Sequence, residues 1–256
     1  GTKSMLKQQK KNNIEGLFTS YDEIANHADQ DYIKISDSKI WQPGDLKFAD
    51  LNGDGKIDKG AQTLSDHGDL VIVGNEEERY HYGFNLNVGW KGIGISAFFQ
   101  GVGKRDWYPG QETGFFWGKY NRPYGYSLKM HENRWTEENP NPNAYWPRLV
   151  GYSSENGGRP MGTPNNRYMQ DASYLRLKAL TVDYSLPQAW VSKLGLTGLK
   201  IYFTGENLFT FSNICENFDP EVIKGGDVDL KDRKGEEQGY SYPMLKTYTV
   251  GLNVSF

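Results

Sequence analysis

The stretch RYHYGFNLNVGW, Arg79–Trp90, leaves the backbone little choice. Tyr80, Tyr82, Phe84, Leu86, Val88 and Trp90 recur at every second position, with His81, Gly83, Asn85, Asn87 and Gly89 between them. A period of two describes a strand with one apolar and one polar face, whereas a helix would scatter these residues around its axis. The alternation lasts about eleven residues, enough for a tilted strand to cross a bilayer. The apolar row has Tyr at one end, aliphatic residues in the middle and Trp at the other, like an aromatic girdle.

Four further segments extend the pattern. Lys91-Gly92 reads as a tight turn, after which Ile93, Ile95, Ala97 and Phe99 alternate with Gly94, Ser96, Phe98 and Gln100. SYLRLKALTVDYSL changes phase midway, with Leu175 and Leu177 on one face and Leu180, Val182 and Tyr184 on the other. A slip near Lys178-Ala179 predicts a β-bulge. LKIYFTGENLF follows a short linker after Pro187, and MLKTYTVGLNVSF alternates to the terminal Phe256. Between these lie long loops at about 101–171 and 212–242. The region 1–78 is polar and irregular, with a helical hint at Ser20–His27, and residues 79–256 hold the strands and loops. Aromatic residues reach 14%, with 17 Tyr, while hydrophobic residues total 37%. That balance suits β-structure with large polar loops, and equally a barrel in which alternate residues face lipid.

Short connections (91–92 and 187–198) alternate with long ones, as when a barrel has short turns on one rim and long loops on the other. With the C-terminus on the periplasmic side, the long loops and residues 1–78 lie outside the cell. Five strands cannot close a membrane barrel, so this reading needs further strands. The rivals are a secreted calcium- and carbohydrate-binding β-sandwich and a surface adhesin module. A net charge of −3 argues against nucleic acid as a partner, and the basic run Lys3, Lys7, Lys10 and Lys11 reads as a solvated tail. Cys215 is the single cysteine, so no internal disulfide forms. No apolar run is long enough for a transmembrane helix. The chain has no signal peptide and does not begin with Met, so it reads as a piece of something longer.

PGDLKFADLNGDGKID, YGFNLNVGWKG, SAFFQGVG, RWTEENPN, DASYLRLKALTVDYSLP, TGENLF, FDPE at 218–221 and YPMLKTYTVGLNVSF occur in that order. Together they resemble the C-terminal part of SusC/RagA-type TonB-dependent outer-membrane transporters, from about Ile14 to Phe256. The resemblance implies an all-β chain supplying the last five strands of a barrel of about 22 strands, plugged by a separate domain. It also implies energy from TonB, a SusD-like lipoprotein lid, an outer-membrane lipid surround, and an oligosaccharide cargo, or else a peptide.

Asp50, Asn52, Asp54 and Gly55 stand at positions 1, 3, 5 and 6 of an EF-hand-like loop, with Lys56 at 7 and Asp58 at 9, but position 12 is Ala61. The expected ligands are Asp50, Asn52, Asp54, the Lys56 carbonyl and Asp58, for a structural calcium ion; the bland alternative is a solvated Asn-Gly/Asp-Gly turn. In similar transporters an acid at position 12 precedes a short strand and Gly-Asn. Asp69-Leu-Val-Ile-Val-Gly-Asn has that look later in the chain, which implies an insertion at about 61–68 and Asp69 as twelfth ligand, with Asp66 the other candidate. Trp107, Trp117 and Trp146 are the candidates for stacking on a ligand or partner, set against the alternative that such aromatics fill a folded loop. Catalytic patterns are lacking: Gly92-x-Gly94-x-x-Ala97 opens a strand rather than a helix, the four histidines are scattered, and Glu137-Glu138 has no partner base. The chain reads as no enzyme.

Overall fold

The computed structural model describes residues 8–33, 40–110, 113–121, 124–150, 161, 164–223 and 241–256. Lys3, Lys7 and most of the loop at 212–242 therefore lie outside the described residues. Two compact units emerge, one made of Gly1–Glu76, Asp106–Gln170 and Ile223–Ser241, the other of Glu77–Arg105, Asp171–Val222 and Tyr242–Phe256. The expected division at residue 78 thus becomes a division in space, in which the first long loop belongs with the N-terminal region. Covalent order did not reveal this, because the contacts that join those two segments are far apart in sequence.

In the first unit, β1 (Gln8–Asn12) pairs antiparallel with β4 (Leu70–Asn75), and β2 (Ile14–Leu17) with β3 (Leu46–Phe48). The helical hint becomes α1 (Tyr21–Ala25), started by Ser20, whose hydroxyl accepts from Glu23 N at 3.1 Å. Gln30 acts as a substitute strand: its amide donates to Leu46 O and accepts from Phe48 N, at 3.0 and 3.2 Å. Asn166 treats Ile14 the same way, accepting from its N and donating to its O at 2.7 and 3.1 Å. Arg148 donates to buried Asp45 at 3.0 Å, and the Trp135 ring lies against Gly44, whose φ of +88° and missing Cβ permit the contact. Burial raises the Asp45 carboxyl above its usual range despite the Arg148 guanidinium beside it.

The second unit is a five-stranded antiparallel sheet in the order β11–β10–β9–β6–β5. Its strands are β5 (Tyr80–Trp90), β6 (Ile93–Gly103), β9 (Tyr174–Ser185), β10 (Gly198–Ser212) and β11 (Thr247–Ser255). The two-residue strands β7 (Asp106–Trp107) and β8 (Gln170–Asp171) stand at the ends of the long excursion. Lys91 and Gly92 both have positive φ, at 49° and 88°, the twist that a two-residue hairpin requires.

Because paired residues share a face, the registers place the side chains in rows. Trp90–Ile93–Tyr184–Ile201–Leu252 is one row and Val88–Ile95–Val182–Phe203–Val250 the next. Leu86–Ala97–Leu180–Gly205–Tyr248 follows, with a gap at Gly205. Leu208 fills that gap: a Cβ on Gly205 would meet its side chain at 2.8 Å. The left-handed Asn207 (φ 52°) makes the detour that returns Leu208 there, a physical reading of the TGENLF run. The expected bulge is present, since Phe98 opposes Ala179 while Phe99 opposes Leu177, leaving Lys178 unpaired. Most of this apolar face is open, with Leu252 65% and Val250 74% exposed. No helix among the described residues is long and apolar enough to cross a membrane.

Candidate functional site

The opposite face of the sheet is polar. Asn87–Ser96–Thr181–Thr204–Thr249 crosses all five strands as one row, with the Thr181 and Thr204 hydroxyls 2.9 Å apart. The neighbouring row ends in Glu206 and Thr247, whose hydroxyl donates to the Glu206 carboxylate at 2.7 Å. Tyr202 and Asp183 lie over Gly251 and Gly94, so both larger side chains stay close to the wall. The result is a surface of amides and hydroxyls that can exchange hydrogen bonds with a neutral polar solute.

Above these rows sits a charged cluster. Arg176, from the polar face of β9, reaches Asp219 and Glu221 at 2.6 Å each and donates to Thr210 Oγ1 at 2.8 Å. Lys178 adds a contact to Glu221 at 2.8 Å. Asp219 also accepts from the backbone N–H of Glu221 and Met244, at 3.0 and 2.9 Å. The FDPE run is therefore a clamp: its two acids fix the loop after β10 to the wall and to the approach to β11. A cavity of about 350 Å³ lies beside it, lined by Arg176, Asn207, Thr210, Glu216, Phe218 and Met244 among others. Sequence reasoning noticed FDPE but missed its partners. The available signal was Arg176 and Lys178, two cations on the polar face of a strand whose other polar-face residues are mostly neutral.

The EF-hand-like loop is tightly turned. Asp50 accepts from Gly53 N and Gly55 N at 2.7 and 2.9 Å, Asn52 from Asp54 N at 3.0 Å, Asp54 from Lys56 N at 2.8 Å and Asp58 from Gly60 N at 2.7 Å. Residues 59–68 form a pinched excursion whose neck is Gly60 and Gly68, both at φ +54°. A Cβ on Gly68 would lie 2.6 Å from Asp58 O, so the neck closes only on glycine. It brings Asp69 N to Asp58 O at 2.9 Å, and the fully buried Asp69 carboxylate accepts from Leu51 N and Asp58 N at 2.7 and 2.8 Å. Asp66 instead accepts from Ala61 N and Gly68 N within the excursion, at 3.1 and 3.4 Å. Among the described residues no three His, Cys, Asp or Glu side chains converge as a metal cluster. The loop does offer the oxygen-only donors that calcium prefers, and a carboxylate oxygen that accepts one N–H keeps further lone pairs.

Trp107, Trp117 and Trp146 each have 0% exposure, which corrects their assignment as ligand contacts. A ring without open surface cannot stack on a sugar. Trp146 stacks on Tyr120 and Tyr168, both at 5.2 Å between centroids, and Trp117 meets Trp146 edge-on at 6.0 Å. Their indole N–H groups donate to Gly110 O (Trp117) and Met130 O (Trp146), both at 2.8 Å. His131 packs edge-on to Trp146 at 4.6 Å, its Nε2 2.8 Å from Phe116 O and its Nδ1 accepting from Leu128 N at 3.2 Å. Burial holds its pKa below the ordinary histidine value. Among the described residues, the exposed aromatics of this loop are Phe115, Tyr124 and Tyr126. Composition signalled that rings were present but not which of them pack inward.

No family model matches the chain. Among curated proteins it is 32% identical over 219 residues to TonB-dependent receptor P26 of Formosa agariphila, covering 83% of this chain and 20% of that protein. It is 29% identical over 216 residues to TonB-dependent receptor P3 of the same organism, covering 84% and 19%. The chain thus spans about one fifth of the length of these relatives. Among solved structures, the RagAB peptide transporter matches with a TM-score of 0.58 and 22% identity, over 96% of this chain and 22% of that one. The RagAB peptide importer in its closed-closed state gives 0.57 and 21%, with the same coverage.

Proposed function

On the premise that this chain belongs to the TonB-dependent receptors, we propose that its sheet is the closing section of a SusC/RagA-type outer-membrane barrel that imports a nutrient with energy from TonB. One observation carries this reading: a five-stranded sheet with continuous apolar rows on one face, hydroxyl and amide rows on the other, and β5 and β11 each paired on one side only among the described residues. In lipid such edges demand partners, so the sheet continues into the remaining strands of a barrel of about 22. The apolar rows meet lipid, the polar rows line the passage, and the two long loops with the N-terminal unit face outward under a SusD-like lipoprotein.

Neutral hydroxyl and amide rows favour an oligosaccharide cargo. A peptide is the second reading, supported by the likeness to RagAB peptide transporters. A contact role for loop aromatics falls to Tyr124 and Tyr126. Growth of a deletion strain on separate glycan and peptide panels tests this. Loss of growth on an oligosaccharide supports the first reading, loss on peptides the second, and undiminished growth on both overturns import. Full-length receptor that stays monodisperse without detergent would defeat the membrane assignment.

Calcium at the Asp50 loop is part of the proposal, held by Asp50, Asn52, Asp54, the Lys56 carbonyl, Asp58 and Asp69. The ion would brace the loop in shape at the cell surface, where weak sites fill. Calorimetric calcium titration of the wild type and Asp69→Ala checks it, and equal affinities remove Asp69 from the site.

A further inference from the structure

On the polar face of the sheet one residue is out of character. Phe98 of β6 stands in the row Asn85–Phe98–Ala179–Glu206–Thr247, among amides, hydroxyls and a carboxylate. An apolar ring that faces water forgoes the free energy of burial. The wall covers one side of it. The ring lies over Gly83 of β5, where a Cβ would meet its Cε2 at 3.4 Å and its Cζ at 3.7 Å. It therefore reaches along the wall rather than out from it. Phe98 is only half-buried, so its other side is left open.

The groups that frame the ring on this face are uncharged. Asn85 is directly opposite Phe98, Ser96 and Gln100 stand two residues to either side of it along β6, and Asn87 is opposite Ser96. Cross-strand partners have Cβ atoms about 5 Å apart and neighbours in the next row about 7 Å, within reach of a single small ligand. Asn85, Asn87 and Ser96 are exposed, and among the described residues none of the four side chains makes a hydrogen bond. The ionisable groups beside them are engaged elsewhere. His81, two residues before Gly83, lies 3.1 Å from Glu78, and Arg176, opposite Gln100, holds Asp219 and Glu221. Glu206 is two strands away across Ala179, on the side from which the ring leans away.

An apolar platform rimmed by groups that both donate and accept complements a ring that is apolar on its face and hydroxylated around its edge. A pyranose with equatorial hydroxyls has that shape, because its C–H bonds point to the two faces and its hydroxyls lie around the rim. We propose that Phe98, with Asn85, Asn87, Ser96 and Gln100, forms a subsite for one neutral pyranose ring of the cargo. The proposal deepens the import reading above and rests on the polar face lining the passage.

The test titrates the full-length receptor in detergent with cellohexaose, whose rings carry their hydroxyls equatorially, and with an end-capped, uncharged, proline-rich peptide. Phe98→Leu keeps Gly83 covered but removes the flat ring, and it should weaken cellohexaose binding by about tenfold, the upper scale of an aromatic contact. Asn85→Ala combined with Gln100→Ala should weaken it by a similar factor, since hydrogen bonds to the rim are lost. Phe98→Tyr should retain the wild-type affinity. The folded fraction of each variant, read from the gel mobility of unboiled receptor, should match the wild type. Affinity lost only in step with folded receptor reduces Phe98 to a cover for Gly83 and overturns the subsite. Equal affinity in the wild type and Phe98→Leu overturns it too, as does a wild type that does not bind cellohexaose. Peptide binding that depends on Phe98 overturns the sugar assignment. Undiminished growth of the deletion strain on both panels refutes import itself, a result distinct from all of these.

Discussion

The two units use their aromatic residues in opposite ways. In the loop unit Trp107, Trp117, Trp146, Tyr120 and Tyr168 are sealed from solvent, each at 0% exposure. In the sheet unit Tyr80, Trp90, Phe211 and Tyr248 are each more than 60% exposed. The sheet's buried apolar cluster is small, Ala97, Leu177 and Leu208. The loop unit carries a core of its own, like any water-soluble fold. The sheet leaves most of its apolar rows uncovered, and in the proposed barrel they meet lipid. On that reading soluble-protein physics describes one unit and bilayer physics the other.

That contrast can be broken at its strongest points. Trp146→Ala should cost the loop unit about 3–5 kcal/mol, because it empties the centre of the ring stack. Hydrogen exchange on the full receptor should show this as lost protection in 106–170 with β5 and β6 unchanged; loss in the strands as well would mean the units are not independent. Arg176→Leu should cost about 3 kcal/mol, the lower end for a broken buried pair, because Glu221 keeps 19% side-chain exposure. Its readout is the folded fraction of unboiled receptor in gel mobility, and restoration by Asp219→Asn with Glu221→Gln would confirm that stranded charge is the cause. Asp69→Asn should cost about 1–3 kcal/mol by weakening two bonds to a charged acceptor, visible as faster proteolysis between 50 and 70.

The smallest effect is in pH. Neutral His131 is favoured by burial, so the unfolded loop takes up a proton first as pH falls through the ordinary histidine value of about 6.5. Stability of the loop unit should therefore drop below about pH 6.5. Thermal melts across that range, with His131→Phe as control, should show the slope disappear in the variant.

The sheet was legible because its information is local: period two, a Lys-Gly turn, and a phase slip at Lys178 that the structure realises as a bulge. The N-terminal pairings were not. β1 meets β4 across the whole intervening region, and no nearby pattern announces such a partner. The ring stack draws on residues from Trp107 to Tyr168 with no period at all, so burial of the tryptophans could not be read from spacing. The Arg176 clamp joins a strand to a loop more than forty residues on, at 43 and 45 positions' distance. The order of motifs in similar transporters points to Asp69, but the glycine neck that brings it to Leu51 N and Asp58 N had no signal in the motif comparison.

That neck has a practical side. Since Gly60 and Gly68 close the excursion at its base, what lies between them is isolated from the turn it interrupts. Leu64 at its tip is 92% exposed. Segments can be exchanged there at little thermodynamic cost, because closing a somewhat longer loop is cheap once its ends are already joined. On the proposed topology the excursion is thus a natural grafting point, where an epitope or fluorophore site would report on the intact receptor at the surface of a living cell.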